Sequence, residues 1–138
     1  MKKIFKYLFL GNVGGVAYLC VEYLYRGYSH WTMYLLAFCA FIFQGLINEI
    51  TPWEMPLYKQ ILLGDLIVTI LEFITGYIVN IQFGWGVWDY SHLPGNIMGQ
   101  ICPLFCVLWL PLCLIGIVLD DWLRYWIFNE KRPHYTLF

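Results

Sequence analysis

Charged side chains are scarce in this sequence. Only 12% of its 138 residues are Asp, Glu, Lys or Arg, and 61% are hydrophobic, whereas a soluble domain carries about 25% charged residues. A water-soluble fold of this length could not bury so much apolar surface, which excludes an ordinary globular protein and favours a lipid bilayer as the solvent. The formal net charge of −1 also excludes a strongly basic surface, so we expect no nucleic-acid partner.

Several chemical motifs are missing as well. The five cysteines lie inside apolar runs and form no C-x-x-C pair, so we expect no disulfide framework. The histidines and acidic residues have no spacing typical of metal ligands, and we therefore predict neither a metal site nor a cofactor. Because the sequence has no G-x-x-x-x-G-K-[ST] motif, an ATP-driven activity would require a separate ATPase chain.

Four long apolar runs are what the sequence does contain. They cover residues 4–25, 32–50, 61–83 and 101–119, and each has roughly the 20 mainly apolar residues that a helix needs to cross a bilayer. The connections between them are short, which favours antiparallel neighbours. The sequence therefore predicts an all-α fold, a polytopic membrane helix bundle of four transmembrane helices, in which residues 1–138 form a single membrane domain.

The final segment, residues 120–138, leaves two alternatives open. Its aromatic part WLRYWIF, residues 122–128, either extends the fourth span or forms a short C-terminal helix that lies in the membrane interface. The remaining residues, NEKRPHYTLF, are polar enough for us to expect an exposed tail.

Lysine and arginine predict the orientation of the bundle. Seven of the eight basic residues fall on one side of the predicted topology, and only Arg26 falls on the other. Because Lys and Arg concentrate in cytoplasmic loops, we expect a multi-pass protein of the cell membrane with both termini in the cytoplasm and residues 84–99 outside. The seven residues on the cytoplasmic side are Lys2, Lys3, Lys6, Lys59, Arg124, Lys131 and Arg132.

The third span carries a stripe of polar and small residues. Their spacings of 4, 3, 4 and 4 residues place them within roughly an 80° arc of one helix. Glu72 lies near the expected bilayer centre, where a lone charge costs about 2.5–3.5 kcal/mol, so we expect the stripe to face the bundle interior rather than lipid. Its members are Asp65, Thr69, Glu72, Gly76 and Asn80.

The first span combines an ion pair with a face of small residues. Glu22 and Arg26 have the i,i+4 spacing of a helical ion pair and lie in the half of the span nearest the predicted outer side. Gly11 and Gly15 form a G-x-x-x-G motif, which lets another helix approach closely and could build a homo-oligomer.

The loop GWGVWDYSHLPGNIMG, residues 84–99, is the most varied part of the chain. Its aromatic residues, among them Trp88, suit the membrane interface. We predict Asn96 as the N-cap of the fourth helix. These roles do not explain Asp89 and His92, which stand between the aromatic residues.

Seven short elements follow one another along the chain. They are Gly15 with Glu22, Arg26-Gly27, Glu72 with Thr75-Gly76, Trp88-Asp89-Tyr90-Ser91, Asn96 with Gly99, Ile101-Cys102, and Trp109. On these elements the chain resembles a family of bacterial integral membrane proteins called Putative ABC-transporter type IV, or CmpB-type, over about residues 11–115. The resemblance implies a membrane protein associated with transport. The Gly-Pro and Pro-x-Tyr-Gly element usual in that family is absent, since the region reads YSHWTMYLLAFCAF.

These observations lead to several functional hypotheses. In the first, the protein is a transporter or a membrane substrate-binding component for a small molecule or ion, with an outward-facing polar site inside the membrane. In the second, it is an oligomeric channel or pore whose lumen Glu72 lines. In the third, it is a membrane enzyme that acts on a lipid or quinone with Glu72, Asp89 and His92 as acid–base groups, and in the fourth it is a scaffold or sensor. The predicted substrate-binding residues are Glu22, Arg26, Glu72, Trp88, Asp89 and Asn96, and no catalytic residues are predicted because no nucleophile–base spacing is present.

Overall fold

This computed structural model describes residues 2–50 and 55–135, except for the side chains of residues 48 and 50. The described part contains four α-helices. The described residues contain no β-strand, so the prediction of an all-α bundle of four helices is confirmed. The helices are α1 (Lys2–Arg26), α2 (Trp31–Ile50), α3 (Leu57–Gly76) and α4 (Pro103–Phe128).

Three helical stretches are long and apolar enough, by length and composition, to cross a membrane. They are Lys2–Arg26, Leu57–Gln82 and Pro103–Phe128. Helix α2 has 20 residues, but its apolar part, Trp31–Ile47, is shorter than the other three. These helices fit a polytopic membrane protein, and the assignment of the whole chain to one membrane domain stays a prediction.

The third predicted span changes its winding near the end. Helix α3 begins after Pro56, and the chain continues beyond Gly76 as a π-helical segment, Tyr77–Gln82. Such segments are rare and occur often at functional sites, because the wider turn changes where side chains point. Here the change affects Asn80, the last member of the polar stripe.

Helix α4 differs at both ends from the predicted fourth span. It begins at Pro103, with Cys102 as its N-cap residue, because proline at the first helical position lacks only an N–H that would have no helical partner. The prediction that Asn96 caps this helix is therefore wrong. At the other end α4 continues to Phe128 and stops at Asn129, which has a left-handed φ of 56°. Residues 122–128 thus extend the fourth helix, and a separate interfacial helix is not formed.

Glycines of α1 let it pack closely on α2. A Cβ atom on Gly11 would lie 2.6 Å from the ring of Phe38, and one on Gly15 would lie 2.5 Å from the ring of Tyr34. Neither position has room for a larger side chain. The predicted close approach at the G-x-x-x-G motif is confirmed, and the partner helix belongs to the same chain.

The apolar core lies mainly between α2, α3 and α4. Ala40, Val68 and Cys113 contribute one buried residue from each of these helices to a common cluster. A second cluster joins α2 to the π-helical segment and to the loop before α4, and its buried members are Met33, Leu36, Val79 and Trp88. These contacts fix the loop against the helices.

The two ends of the bundle differ in how α1 meets α4. We call the end that holds Arg26 and the loop 83–102 the loop end, and the end that holds Lys6 and Phe128 the tail end. At the tail end the rings of Phe9 and Phe128 lie 5.9 Å apart. Over its whole length, however, α1 contacts α4 far less than it contacts α2, and the space between the two helices opens toward the loop end.

Candidate functional site

The last residue of the polar stripe fastens the loop onto α3. Asn80 accepts a hydrogen bond from the backbone N–H of Val87 (2.7 Å) and donates one to Oε1 of Gln100 (2.8 Å). The indole N–H of Trp88 donates to the backbone oxygen of Gln100 (3.0 Å). Gly76 allows this arrangement, because a Cβ atom there would lie 2.9 Å from the Trp88 ring. The stripe therefore positions the loop over the end of α3.

The middle of the stripe faces α4. Glu72 is 3% exposed, and its Oε2 accepts a hydrogen bond of 2.7 Å from the indole N–H of Trp109. Its other oxygen makes no well-aligned hydrogen bond among the described residues, although the hydroxyl of Tyr90 lies close to this carboxylate. One turn earlier, Thr69 lies 3.6 Å from the sulfur of Cys106. The expectation that the stripe faces the bundle interior is confirmed for Glu72, which is buried, and for Thr69, which contacts α4. Thr69 and Asp65 are both half-buried.

The predicted ion pair on α1 is formed. Nε of Arg26 donates to Oε2 of Glu22 at 2.8 Å, and the hydroxyl of Tyr18 donates to Oε1 at 3.0 Å. Glu22 is only 6% exposed, so both oxygens of a buried carboxylate are satisfied. The guanidinium of Arg26 also lies over the ring of Tyr28, 4.8 Å from its centroid. The pair is thus held by contacts with Tyr18 and Tyr28.

An aromatic contact connects the two buried carboxylates. The rings of Tyr18 and Trp109 stack with centroids 5.4 Å apart. Tyr18 donates to Glu22 and Trp109 donates to Glu72. The carboxylates on α1 and α3 therefore share one continuous wall of hydrogen-bonded aromatic side chains.

That wall borders a cavity of about 250 Å³ between α1 and α4. A second cavity of about 120 Å³ lies beside it, deeper along the same helices. Four residues, Tyr18, Val21, Trp109 and Leu112, line both, so we treat them as one space, the α1–α4 crevice. The polar part of the crevice lies at the loop end, and its lining consists of Tyr18, Val21, Glu22, Tyr25, Arg26, Tyr90, Phe105, Leu108, Trp109 and Leu112.

The structure divides the six predicted binding residues into two groups. Glu22 and Arg26 line the crevice, and Glu72 lies directly behind it through Trp109. Trp88, Asp89 and Asn96 do not line either cavity. The first group supports a common site, whereas the second group has local roles in the loop.

Those local roles are visible in the hydrogen bonds. Asp89 is exposed, and its Oδ1 accepts a bond of 2.9 Å from the backbone N–H of Ser91, which holds the pKa of this carboxyl below its usual value. Asn96 donates to the backbone oxygen of Leu93 (2.8 Å) and accepts from the N–H of Gly99 (3.0 Å). Both side chains stabilise turns, as short polar side chains commonly do.

Sequence reasoning missed two tyrosines of the site. Tyr90 comes from the same W-D-Y-S block as Asp89 and stacks on Phe105 with centroids 4.4 Å apart. Burial and the neighbouring Glu72 carboxylate raise the pKa of Tyr90, so its hydroxyl stays protonated beside Glu72. Tyr18 stands one helical turn before Glu22, and this i,i+4 spacing is the signal that could have identified it.

A second polar cluster, at the tail end, was also missed. Lys6 bonds Glu49 (3.0 Å) and Glu130 (3.3 Å), and Arg124 bonds Asp120 (2.7 Å) and Glu49. Asp120 is fully buried. The sequence signal for this cluster was the spacing of Asp120 and Arg124, an acid and an arginine one turn apart within an apolar helix. A charge buried in such a helix requires a neighbouring opposite charge.

Metal binding finds no support in this geometry. No group of three or more His, Cys, Asp or Glu side chains within the described ranges could hold a metal ion. The lining of the crevice supplies one ion pair, aromatic faces and hydroxyl donors.

Comparison with known proteins agrees with the motifs noted in the sequence. The family model described as Putative ABC-transporter type IV matches residues 4–133. No curated protein and no solved structure matches the chain at a significant level. Because the family match covers nearly the whole sequence and includes every residue of the crevice, the chain belongs to the Putative ABC-transporter type IV family.

Proposed function

We propose that this protein is a membrane transporter or substrate-binding component that holds its substrate in the α1–α4 crevice. One observation carries the proposal: the Glu22–Arg26 ion pair, with Glu22 only 6% exposed, forms part of the crevice wall inside an apolar bundle. A charged residue at membrane depth costs free energy, and such residues commonly mark substrate or ion pathways. A purely structural pair would not need an open space beside it.

The orientation of the site follows from the distribution of basic residues. Seven Lys and Arg residues lie at the tail end or beyond it, and Arg26 alone lies at the loop end. We infer that both termini are cytoplasmic and that the crevice serves the outer side of the cell membrane. Since the sequence has no phosphate-binding loop, any ATP-driven step would be carried out by a separate ATPase chain.

Two contacts favour substrate binding over the alternatives. Glu72 accepts a bond from Trp109 of the same chain, whereas a pore lining would require its carboxylate to face a lumen between subunits. Asp89 is exposed in the loop and bonded to Ser91, while Glu72 is buried. An enzyme acting on a lipid or quinone would use these two residues together as acid–base groups. Here Asp89 and Glu72 lie in two different environments.

A thermal-unfolding screen tests this function. The purified full chain in detergent micelles is heated with a library of small anionic, cationic and neutral compounds, and the midpoint Tm is recorded. A ligand at 100 times its Kd stabilises a protein by about 2.7 kcal/mol, which raises Tm by several degrees. The double variant Glu22→Gln/Arg26→Gln removes both charges without leaving one unpaired in the bundle.

We expect at least one compound to raise Tm of the parent protein and to lose this effect in the double variant. Arg132→Gln is the matched control, because Arg132 is exposed and lies against the ring of Trp122, away from the crevice. The control should respond like the parent. If no compound in the library raises Tm, or if every increase persists in the double variant, the proposed function is wrong.

A further inference from the structure

The α1–α4 crevice opens sideways between two helices that can span a membrane. Val21 on α1 is 39% exposed and Leu108 on α4 is 46% exposed, although both line the cavity. Ile115, one lip of the deeper cavity, is 59% exposed. Apolar residues on the outer surface of such helices face acyl chains. A molecule can therefore reach the crevice from the hydrocarbon part of the bilayer.

The crevice is deep but narrow. Its deeper part reaches Ala40 of α2 and Val68 of α3, which are 7% and 5% exposed. An α-helix with side chains is about 10 Å across, so a helix from a second copy of the chain could not fill a space of about 120 Å³. A single hydrocarbon chain is much thinner than a helix, and several of its methylene groups can enter such a space.

Hydrogen-bonding capacity is concentrated at the other end of the crevice. Both oxygens of Glu22 are occupied by Tyr18 and Arg26. Arg26 uses its Nε for this contact, and among the described residues only Glu22 accepts a hydrogen bond from it. The terminal nitrogens of the guanidinium thus remain as donors, and planar paired donors suit a carboxylate or a phosphate.

We propose that the crevice binds a single-chain anionic amphiphile, with its carboxylate or phosphate head on Arg26 and its hydrocarbon tail between α1 and α4. This inference rests on the proposed function and names the chemical class of its substrate. Glu22 keeps the side chain of Arg26 in place, and Tyr90 and Phe105 cover the region between head and tail. The shared lining residues, Val21 and Leu112, contact the first part of the tail.

Native mass spectrometry of the purified full chain tests the proposal with four probes. Palmitate and 1-palmitoyl lysophosphatidate carry the same tail on a carboxylate and on a phosphate head. Monopalmitin has this tail without a charge, and inorganic phosphate has the charge without a tail. We expect one palmitate or one lysophosphatidate per chain, bound at least about ten-fold more tightly than monopalmitin, which corresponds to the charge-assisted contact with Arg26. The stronger of the two anionic probes identifies the head group.

Variants at neighbouring positions of α1 separate the crevice from the general lipid surface. Ala17 lines the deeper cavity, whereas Val16 is 54% exposed and lines neither cavity. Ala17→Phe should weaken binding of both anionic probes at least about ten-fold, and Val16→Phe should leave it unchanged. Should Ala17→Phe turn its ring outward, Val21→Trp obstructs both cavities and should give the same loss.

The contrary outcomes are distinct from failure of the proposed function. Equal binding of all three amphiphiles, unaffected by Ala17→Phe and Val21→Trp, would mean that they bind only as surrounding lipid, and the inference would be wrong. Binding of inorganic phosphate without any amphiphile would also overturn it. In either case, tail-free compounds that stabilise the parent but not Glu22→Gln/Arg26→Gln would leave the proposed function intact.

Discussion

The two ends of the bundle contain the same local motif in different surroundings. Glu22 and Arg26 on α1 are an acid and an arginine one turn apart, bonded at 2.8 Å, and Asp120 and Arg124 on α4 repeat this at 2.7 Å. Arg124 also reaches Glu49 and lies 3.7 Å from Glu130. Among the described residues, Arg26 forms an ion pair with Glu22 alone, and it borders an open crevice.

The residues around a buried acid–arginine pair, and not the i,i+4 motif itself, decide the role of that pair. At the tail end the arginine is shared among several carboxylates from different elements, and it joins α4 to α2 and to the segment after α4. At the loop end the arginine keeps unused donors beside a cavity. We therefore expect the tail pair to contribute to stability, and the proposed function gives the loop pair its role in binding.

Arg124→Gln should lower the free energy of unfolding more than any other variant considered, and it tests the difference between the two ion pairs. Arg124 is 4% exposed, and its removal leaves Asp120 buried without its cation, so we expect a loss of about 3–5 kcal/mol in the free energy of unfolding. Arg26→Gln should lower the free energy of unfolding by less, about 1–3 kcal/mol, because the Arg26 side chain is 22% exposed and Glu22 keeps its hydrogen bond from Tyr18. Denaturant unfolding in micelles measures both. Equal losses would contradict the division of roles.

Gly45→Ala tests the packing around the tail pair. A Cβ atom at Gly45 would lie 2.5 Å from a carboxylate oxygen of Asp120, which is fully buried, so we expect a loss of about 1–3 kcal/mol. Gly64→Ala is the matched control, because its nearest contact would be an ordinary 3.5 Å to Ile117. The control should be neutral, or more stable by up to about 1 kcal/mol from helix propensity. A neutral Gly45→Ala would refute the close approach.

Trp109→Phe tests the hydrogen bond between Trp109 and Glu72 near the loop end. It removes the N–H that bonds Glu72 while keeping an aromatic ring against Tyr18, and an unpartnered buried group costs about 1–3 kcal/mol. Trp126→Phe is the control, since Trp126 is 65% exposed and should change stability by less than about 0.5 kcal/mol. Thermal unfolding compares the two. A loss no larger than that of the control would mean that the bond to Glu72 carries no weight.

Asp89→Asn should have the smallest effect on stability, and this effect should be confined to the loop. Its folded pKa lies below the usual value because Ser91 donates to the ionised carboxylate. The turn is therefore stabilised above the ordinary pKa of about 3.9, and this stabilisation disappears as the pH falls through the lowered pKa. An NMR titration of the Ser91 amide should show a midpoint below about 3.9, absent in Asp89→Asn. A midpoint above that value would contradict the hydrogen bond.

Features set by local periodicity could be predicted from the sequence. The four helices, the inward face of Thr69 and Glu72, and the Glu22–Arg26 pair all follow from hydrophobic runs or from i,i+4 spacing. The helical state of residues 122–128 was left open because Asp120 and Asp121 resemble the polar end of a span. Their tolerance inside a continuous helix depends on Arg124 and Glu49, which only the tertiary structure brings together.

The candidate site was predictable only in part for the same reason. Asp89 was predicted to bind substrate as a polar residue with no structural explanation, and Asn96 was predicted both as a helix N-cap and as a binding residue, but the loop uses both for its own turns. Tyr18 and Trp109 belong to helices far apart in sequence, and their stacking depends on how α1 lies against α4. Spacing along one helix gives no information about this distance, so the crevice itself became visible only in the fold.

The most direct test of the central claim maps where an amphiphile lies on the protein. The full chain in bilayer nanodiscs is photolysed with a palmitate analogue that carries a diazirine in its tail, and the adducts are located by peptide mass spectrometry. The account predicts adducts concentrated around Val21 and Leu112, and reduced in Glu22→Gln/Arg26→Gln. Adducts spread evenly over outward positions such as Leu24, which is 89% exposed, and unchanged in the double variant would contradict it.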